Sequence, residues 1–157
     1  MRPCVLSEVS GSAIVFSAFD PKLGRQGELA RIQMGPSLSF WDLSHDGSRI
    51  AFGKMEGDGG HIRLLDLADG KARDMTVKGW SNLASIGWSM DGRSLFATNW
   101  ASKGASILRV TLDGQIQFLY KAPSSMLLER PVPSPNGHYL AFAEVATSSN
   151  AWMIENR

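Results

Sequence analysis

Short runs of apolar residues alternate with polar positions along this chain, and each run is closed by Gly, Asp, Asn or Pro. Residues 39–43 (Ser39-Phe40-Trp41-Asp42-Leu43) alternate in the manner of a half-buried strand. Ser44-His45-Asp46-Gly47 reads as a turn, with Gly supplying the positive φ, and residues 49–53 as the returning strand. A third strand is predicted at 61–66, a turn at Asp69-Gly70 and a fourth strand at 72–77. The next stretch repeats this plan, with strands at 84–88, 94–98, 105–111 and 115–119 and turns at Asp91-Gly92 and Asp113-Gly114.

The repeat has a period. Ser44, Asp46 and Gly47 return 45 residues on as Ser89, Asp91 and Gly92, and again as Ser134, Asn136 and Gly137. Ile50, Leu95 and Leu140 keep one place behind each turn. A period of this size with strand patterning inside it predicts an all-β, β-propeller-like fold, one blade of antiparallel strands per repeat. A sandwich or an irregular meander gives no reason for three turns at one spacing. Four units follow, at 1–36, 37–80, 81–124 and 125–157, in a single domain.

The two end units are predicted to hold three strands each. Gly11-Ser12-Ala13-Ile14-Val15-Phe16 matches Gly47 to Phe52, which puts first-unit strands at 4–7, 13–16 and 29–32. Too few residues separate Ile32 from Phe40 for an outer strand. The last unit offers 127–132, 139–144 and 151–155. Weak helical character over 124–130 is cut off by Pro131 and Pro133.

These residues carry a resemblance. Leu43-Ser44-His45-Asp46-Gly47-Ser48-Arg49-Ile50-Ala51-Phe52, with residues 62–70, is similar to the WD40-like (PD40) repeat of TolB-type β-propellers. Trp88-Ser89-Met90-Asp91-Gly92 follows the same form, and Ser134-Pro135-Asn136-Gly137 has Asn in place of the usual Asp. The likeness spans the chain and is weakest over 1–36. Residues 150–156 look like the closing strand of propellers fused to bacterial winged-helix regulators or serine/threonine kinases. That implies a sensor or interaction domain from a multidomain signalling protein.

Charge and composition exclude several classes. Sixteen basic residues face fifteen acidic ones, so no bulk field draws nucleic acid or anionic lipid. No apolar run reaches the ~18–20 residues needed to insert across a bilayer. Cys4 is the single cysteine, which rules out an intrachain disulfide and a cysteine metal cluster. No secretory-leader pattern opens the sequence. The chain therefore reads as cytoplasmic if complete, and as extracytoplasmic if it is a fragment of a membrane-anchored protein.

Candidate chemistry is sparse. His45, His61 and His138 lack paired-ligand spacing, and there is no Gly-x-Ser-x-Gly elbow. Glu56 and Asp58 fall short of a calcium loop. No cofactor or metal is expected. Asp46, Asp91 and Asn136 read as turn formers, and Trp88 and Phe52 as packing between blades. Trp80 and Trp100, near strand ends, and His45 and His138, beside turns, are the candidates for an interaction surface.

The leading reading is a non-catalytic domain whose loops recognise a protein or peptide partner. The alternative is a lyase or hydrolase in the central channel. First strands offer it only Asp42, Glu129 and Arg130 as charged groups. Three-stranded end units with apolar outer faces imply a chain that does not close a ring alone. It either lacks N-terminal blades of a larger propeller or associates as a homodimer.

Overall fold

The turn that defines the repeat is built the same way three times in the computed structural model, which describes residues 4–34, 39–55, 60–123 and 126–146. Ser44, Ser89 and Ser134 each donate their hydroxyl to the Asx oxygen two residues on, at 2.6 Å in every case. Each serine hydroxyl accepts the N–H five residues on, from Arg49, Ser94 and Tyr139 at 2.9–3.0 Å. Each Asx oxygen in turn accepts the N–H of Ser48, Arg93 or His138. Gly47, Gly92 and Gly137 follow at φ of 75°, 64° and 71°, a region that a Cβ would strain. The equivalence of the three turns is thus present in their hydrogen bonds.

Between the turns lie antiparallel strands, and no helix occurs among the described residues. Unit 1 has three strands in the order β1 (Cys4–Ser10), β2 (Ala13–Asp20) and β3 (Gly24–Gln33). Unit 2 is the four-stranded sheet β4 (Ser39–Leu43), β5 (Arg49–Lys54), β6 (Gly60–Asp66) and β7 (Ala72–Val77). Unit 3 is the four-stranded sheet β8 (Leu83–Trp88), β9 (Ser94–Ala101), β10 (Gly104–Thr111) and β11 (Ile116–Lys121). The all-β propeller architecture read from the repeat is the one found.

Unit 4 departs from the expectation of long strands. Its first strand is split into β12 (Met126–Leu128) and β13 (Val132–Pro133), its second into β14 (Leu140–Ala141) and β15 (Glu144–Ala146). β12 pairs with β15 and β13 with β14. The break between β12 and β13 falls at residues 129–131 and includes Pro131, which has no N–H to give to a ladder; Pro133 pairs within β13 opposite Leu140. The strand expected at 151–155, with Trp152, lies outside the described residues.

Burial lies between the sheets. Ile14, Phe16 and Ile32 of unit 1 pack on Ile50, Phe52 and Leu65 of unit 2. Ile62, Leu64, Met75 and Val77 of unit 2 meet Ile86, Trp88, Leu95 and Leu108 of unit 3. Ala105 and Ile107 of unit 3 meet Leu128 of unit 4, with Trp100 and Leu140 at the edge. Each four-stranded sheet is apolar on both faces because it is sandwiched.

The outer faces of the end units differ from each other, contrary to the expectation of two apolar faces. On unit 1 the outward residues Ala13, Val15 and Ser17 are buried beneath long charged side chains. Arg25 pairs with Glu8 at 2.6 Å and Arg31 with Glu28 at 2.8 Å. Their aliphatic stems shield the sheet while the charges stay in water. On unit 4 no such lid is found among the described residues: Leu127, Val132 and Tyr139 share its outward face, the last two 53% and 74% exposed.

Candidate functional site

The first strands of units 2, 3 and 4 converge on one carboxylate. Asp42 interrupts the apolar β4, and its register against Ala51 turns it toward unit 3. Its Oδ2 accepts the backbone N–H of Trp88 at 2.8 Å, and its carbonyl accepts the Trp88 indole N–H at 3.2 Å. Its Oδ1 accepts Arg130, from the segment between β12 and β13. Burial raises the Asp42 pKa above the ordinary carboxylate value, and the Trp88 N–H and the Arg130 guanidinium oppose that rise.

A cavity of about 230 Å³ opens beside this group, lined by Asp42, His45, Trp88, Met90, Arg130 and the proline-rich segment 131–135. Close approach of the backbones closes one side. A Cβ at Gly87 would collide with the Pro131 carbonyl, so only glycine lets unit 4 lie this near β8. Arg49 completes the unit 2 to unit 3 seam: its guanidinium lies 4.7 Å from the Trp88 ring centroid and donates to the Gly92 carbonyl at 2.9 Å.

Both Asp42 oxygens are engaged, which makes this carboxylate a clamp across three units. Arg130, half exposed, keeps donors for an incoming acceptor. Of the three charged first-strand candidates, the fold brings Asp42 and Arg130 together. Glu129 is exposed, and its backbone N–H donates to the Ala143 carbonyl at 3.0 Å.

The four residues singled out for an interaction surface do not converge. His45 lines the cavity. Trp80 is half-buried against the unit 2–unit 3 core and stacks on Phe118 with centroids 6.3 Å apart. Trp100 is half-buried and donates its indole N–H to the Leu128 carbonyl at 2.9 Å, tying unit 4 to unit 3. His138 is exposed on the unit 4 turn. Among the described residues no three His, Cys, Asp or Glu side chains group as metal ligands. Met90 and the 131–135 segment were missed as cavity walls. Their one signal in the sequence is position: Met90 sits inside a repeat turn, and the prolines flank another.

Solved structures share this fold. TolB from Acinetobacter baumannii superposes with a TM-score of 0.70 at 17% identity, over 95% of this chain and 36% of that one. A structure of the nidogen/laminin complex gives 0.63 at 14% identity, over 88% of this chain and 52% of that one. The periplasmic gluconolactonase of Pseudomonas aeruginosa gives 0.56 at 19%, over 90% and 47%. The chain thus spans about a third to a half of the structures it matches. At these identities the likeness establishes a TolB-like β-propeller fold. No family model matches the chain. No curated protein matches it either.

Proposed function

We propose that this chain is a non-catalytic recognition portion of a TolB-like propeller, one domain of four units at 1–36, 37–80, 81–124 and 125–157. Its Asp42 end presents the 131–135 segment, His45 and Arg130 to a protein or peptide partner. The observation that supports this best is the double engagement of the Asp42 carboxylate. It commits both oxygens to holding units 2, 3 and 4 together, while Arg130 faces outward as an anchor beside His45. Trp80, Trp100 and His138 serve as separate, lesser contacts. The signalling context drawn from residues 150–156 lies outside the described residues. An extracytoplasmic setting is favoured by the likeness to a periplasmic protein, and the fragment reading by the share of each neighbour that is matched.

The test is selection of displayed peptides on the immobilised chain, followed by binding to Arg130→Ala and His45→Ala. Peptides that lose at least tenfold in affinity to Arg130→Ala support the reading. Turnover of lactone or prolyl-peptide substrates, abolished by Asp42→Asn, overturns it in favour of an enzyme.

A further inference from the structure

An indole fills the seam between units 2 and 3, and its repeat position one seam later holds a proline. Trp88 lies beneath the Arg49 guanidinium, 4.7 Å from it, in a core shared with the buried Ala51 and Leu64. Trp88 pairs with Leu95, and 45 residues on Pro133 pairs with Leu140 in the same register. Ala51 pairs with Leu64 on unit 2, and at their places on unit 3 Phe96 pairs with Arg109. Ala51 and Leu64 are buried, whereas Phe96 and Arg109 are half-buried. A pyrrolidine ring does not fill the volume of an indole. Where the first seam is close-packed, the second holds a cavity of about 490 Å³ whose walls include Pro133, Phe96 and Arg109.

The guanidinium is kept although the indole is not. Arg109 Nε donates to the Ser94 hydroxyl at 2.9 Å, and Ser94, fully buried, holds the repeat position of Arg49. That bond fixes the guanidinium plane and leaves its terminal nitrogens without an acceptor among the described residues. Arg49 spends one of its own on the Gly92 carbonyl, whereas Gly137, at the place of Gly92, lines the cavity with no such bond to Arg109. Asp91 stands on the same wall with the opposite charge, so the lining selects no net charge in a ligand. Its Oδ1 accepts the Ser89 hydroxyl and the Arg93 N–H, and among the described residues its Oδ2 accepts nothing. The volume falls in the ~300–1,000 Å³ range of small-molecule sites.

We infer that this cavity binds a small molecule built on a neutral, planar heteroaromatic ring with an N–H donor, of the indole type. The ring takes the place that Trp88 fills one seam earlier. Arg109 covers one face of it, as Arg49 covers Trp88. Phe96 and Pro133 supply apolar contact, and Asp91 Oδ2 accepts the ring N–H. The inference does not rest on the recognition reading, because it concerns a different cavity from the one beside Asp42.

The probe is indole, titrated into the intact chain and followed by backbone amide and arginine Nε–H resonances. Two controls accompany it: 1-methylindole, which lacks the N–H donor, and cyclohexylmethanol, which lacks the aromatic face. Saturable binding of indole that shifts the Arg109 Nε–H and the amides of Phe96, Arg109 and Gly137 supports the inference. 1-Methylindole should bind at least fivefold more weakly, and cyclohexylmethanol should leave these resonances unmoved. Arg109→Met should weaken indole at least tenfold, and Arg109→Lys should recover part of that loss. Pro133→Trp returns the repeat's own indole to the seam and should abolish binding. No saturable binding up to the solubility limit of indole, or equal binding by Arg109→Met, overturns the inference. Binding that appears only in Trp152→Ala overturns it as well, since the chain's own indole would then hold the place. Indole that shifts Trp88 and His45 and is lost in Arg130→Ala lies beside Asp42, which overturns this inference while leaving the recognition reading standing.

Discussion

Trp88 donates two hydrogen bonds to Asp42, from its backbone N–H to the carboxylate and from its indole to the carbonyl. The two residues sit on the first strands of neighbouring units, 46 positions apart. Inner strands leave one edge of backbone groups without a ladder partner, and this carboxylate satisfies one of them. Asp42→Ala strips that acceptor from Trp88 and the partner from Arg130. It should cost about 1–3 kcal/mol, the usual penalty for an orphaned buried donor. Asp42→Asn retains an acceptor and should cost less. Urea melts of the two variants check the order.

Trp88 itself is 3% exposed and sits in the apolar place before the turn that Leu43 holds in unit 2. Trp88→Ala should destabilise the chain by about 3–5 kcal/mol. An unchanged melting temperature would mean that the seam between units 2 and 3 does not depend on it.

Acid should attack the turns. The Ser44 hydroxyl and the Ser48 N–H hold Asp46 at a pKa of about 2, and the Ser89 hydroxyl lowers Asp91 in the same way. A carboxylate depressed in the folded state adds stability above its unfolded pKa of ~3.9 and loses it as pH falls toward the folded value. Asp42, whose pKa burial raises, acts in the opposite sense and offsets part of the loss. Asp46→Asn should therefore flatten the decline in melting temperature between pH 4 and pH 2. Asn136, already an amide, should leave its turn insensitive over that window.

Gly87→Ala places a methyl group against the Pro131 carbonyl. The expected result is release of unit 4 from unit 3, seen as faster amide exchange over residues 126–146 while units 2 and 3 stay protected. Uniform exchange across the chain would show that the close approach carries no weight.

Val132 and Tyr139, exposed on the outward face of unit 4 among the described residues, should make the isolated chain self-associate. Val132→Glu and Tyr139→Glu together should lower its light-scattering mass, whereas Glu8→Gln on the lidded face of unit 1 should not. A wild-type chain that stays monomeric at high concentration would refute this.

Much of the fold was legible because its signals are local. The Ser-x-Asx-Gly turns close their hydrogen bonds within six residues, so their chemistry is complete in the sequence, and the strands of units 2 and 3 alternate as their sandwiched faces demand. Unit 4 was read less well, since proline breaks a ladder at places that apolar periodicity does not mark. The site was legible only as a list. Asp42 and Arg130 stood out as charges on inner strands, but their meeting across 88 positions depends on how three sheets pack. An indole at a strand end looks the same in sequence whether it awaits a ligand or, as Trp100 does, meets a neighbouring carbonyl. The lid on unit 1 and the exposure of Val132 and Tyr139 on unit 4 were likewise decided by tertiary structure. Local hydrogen bonding specifies turns and strands, whereas which surfaces are covered depends on the packing of units far apart in the chain.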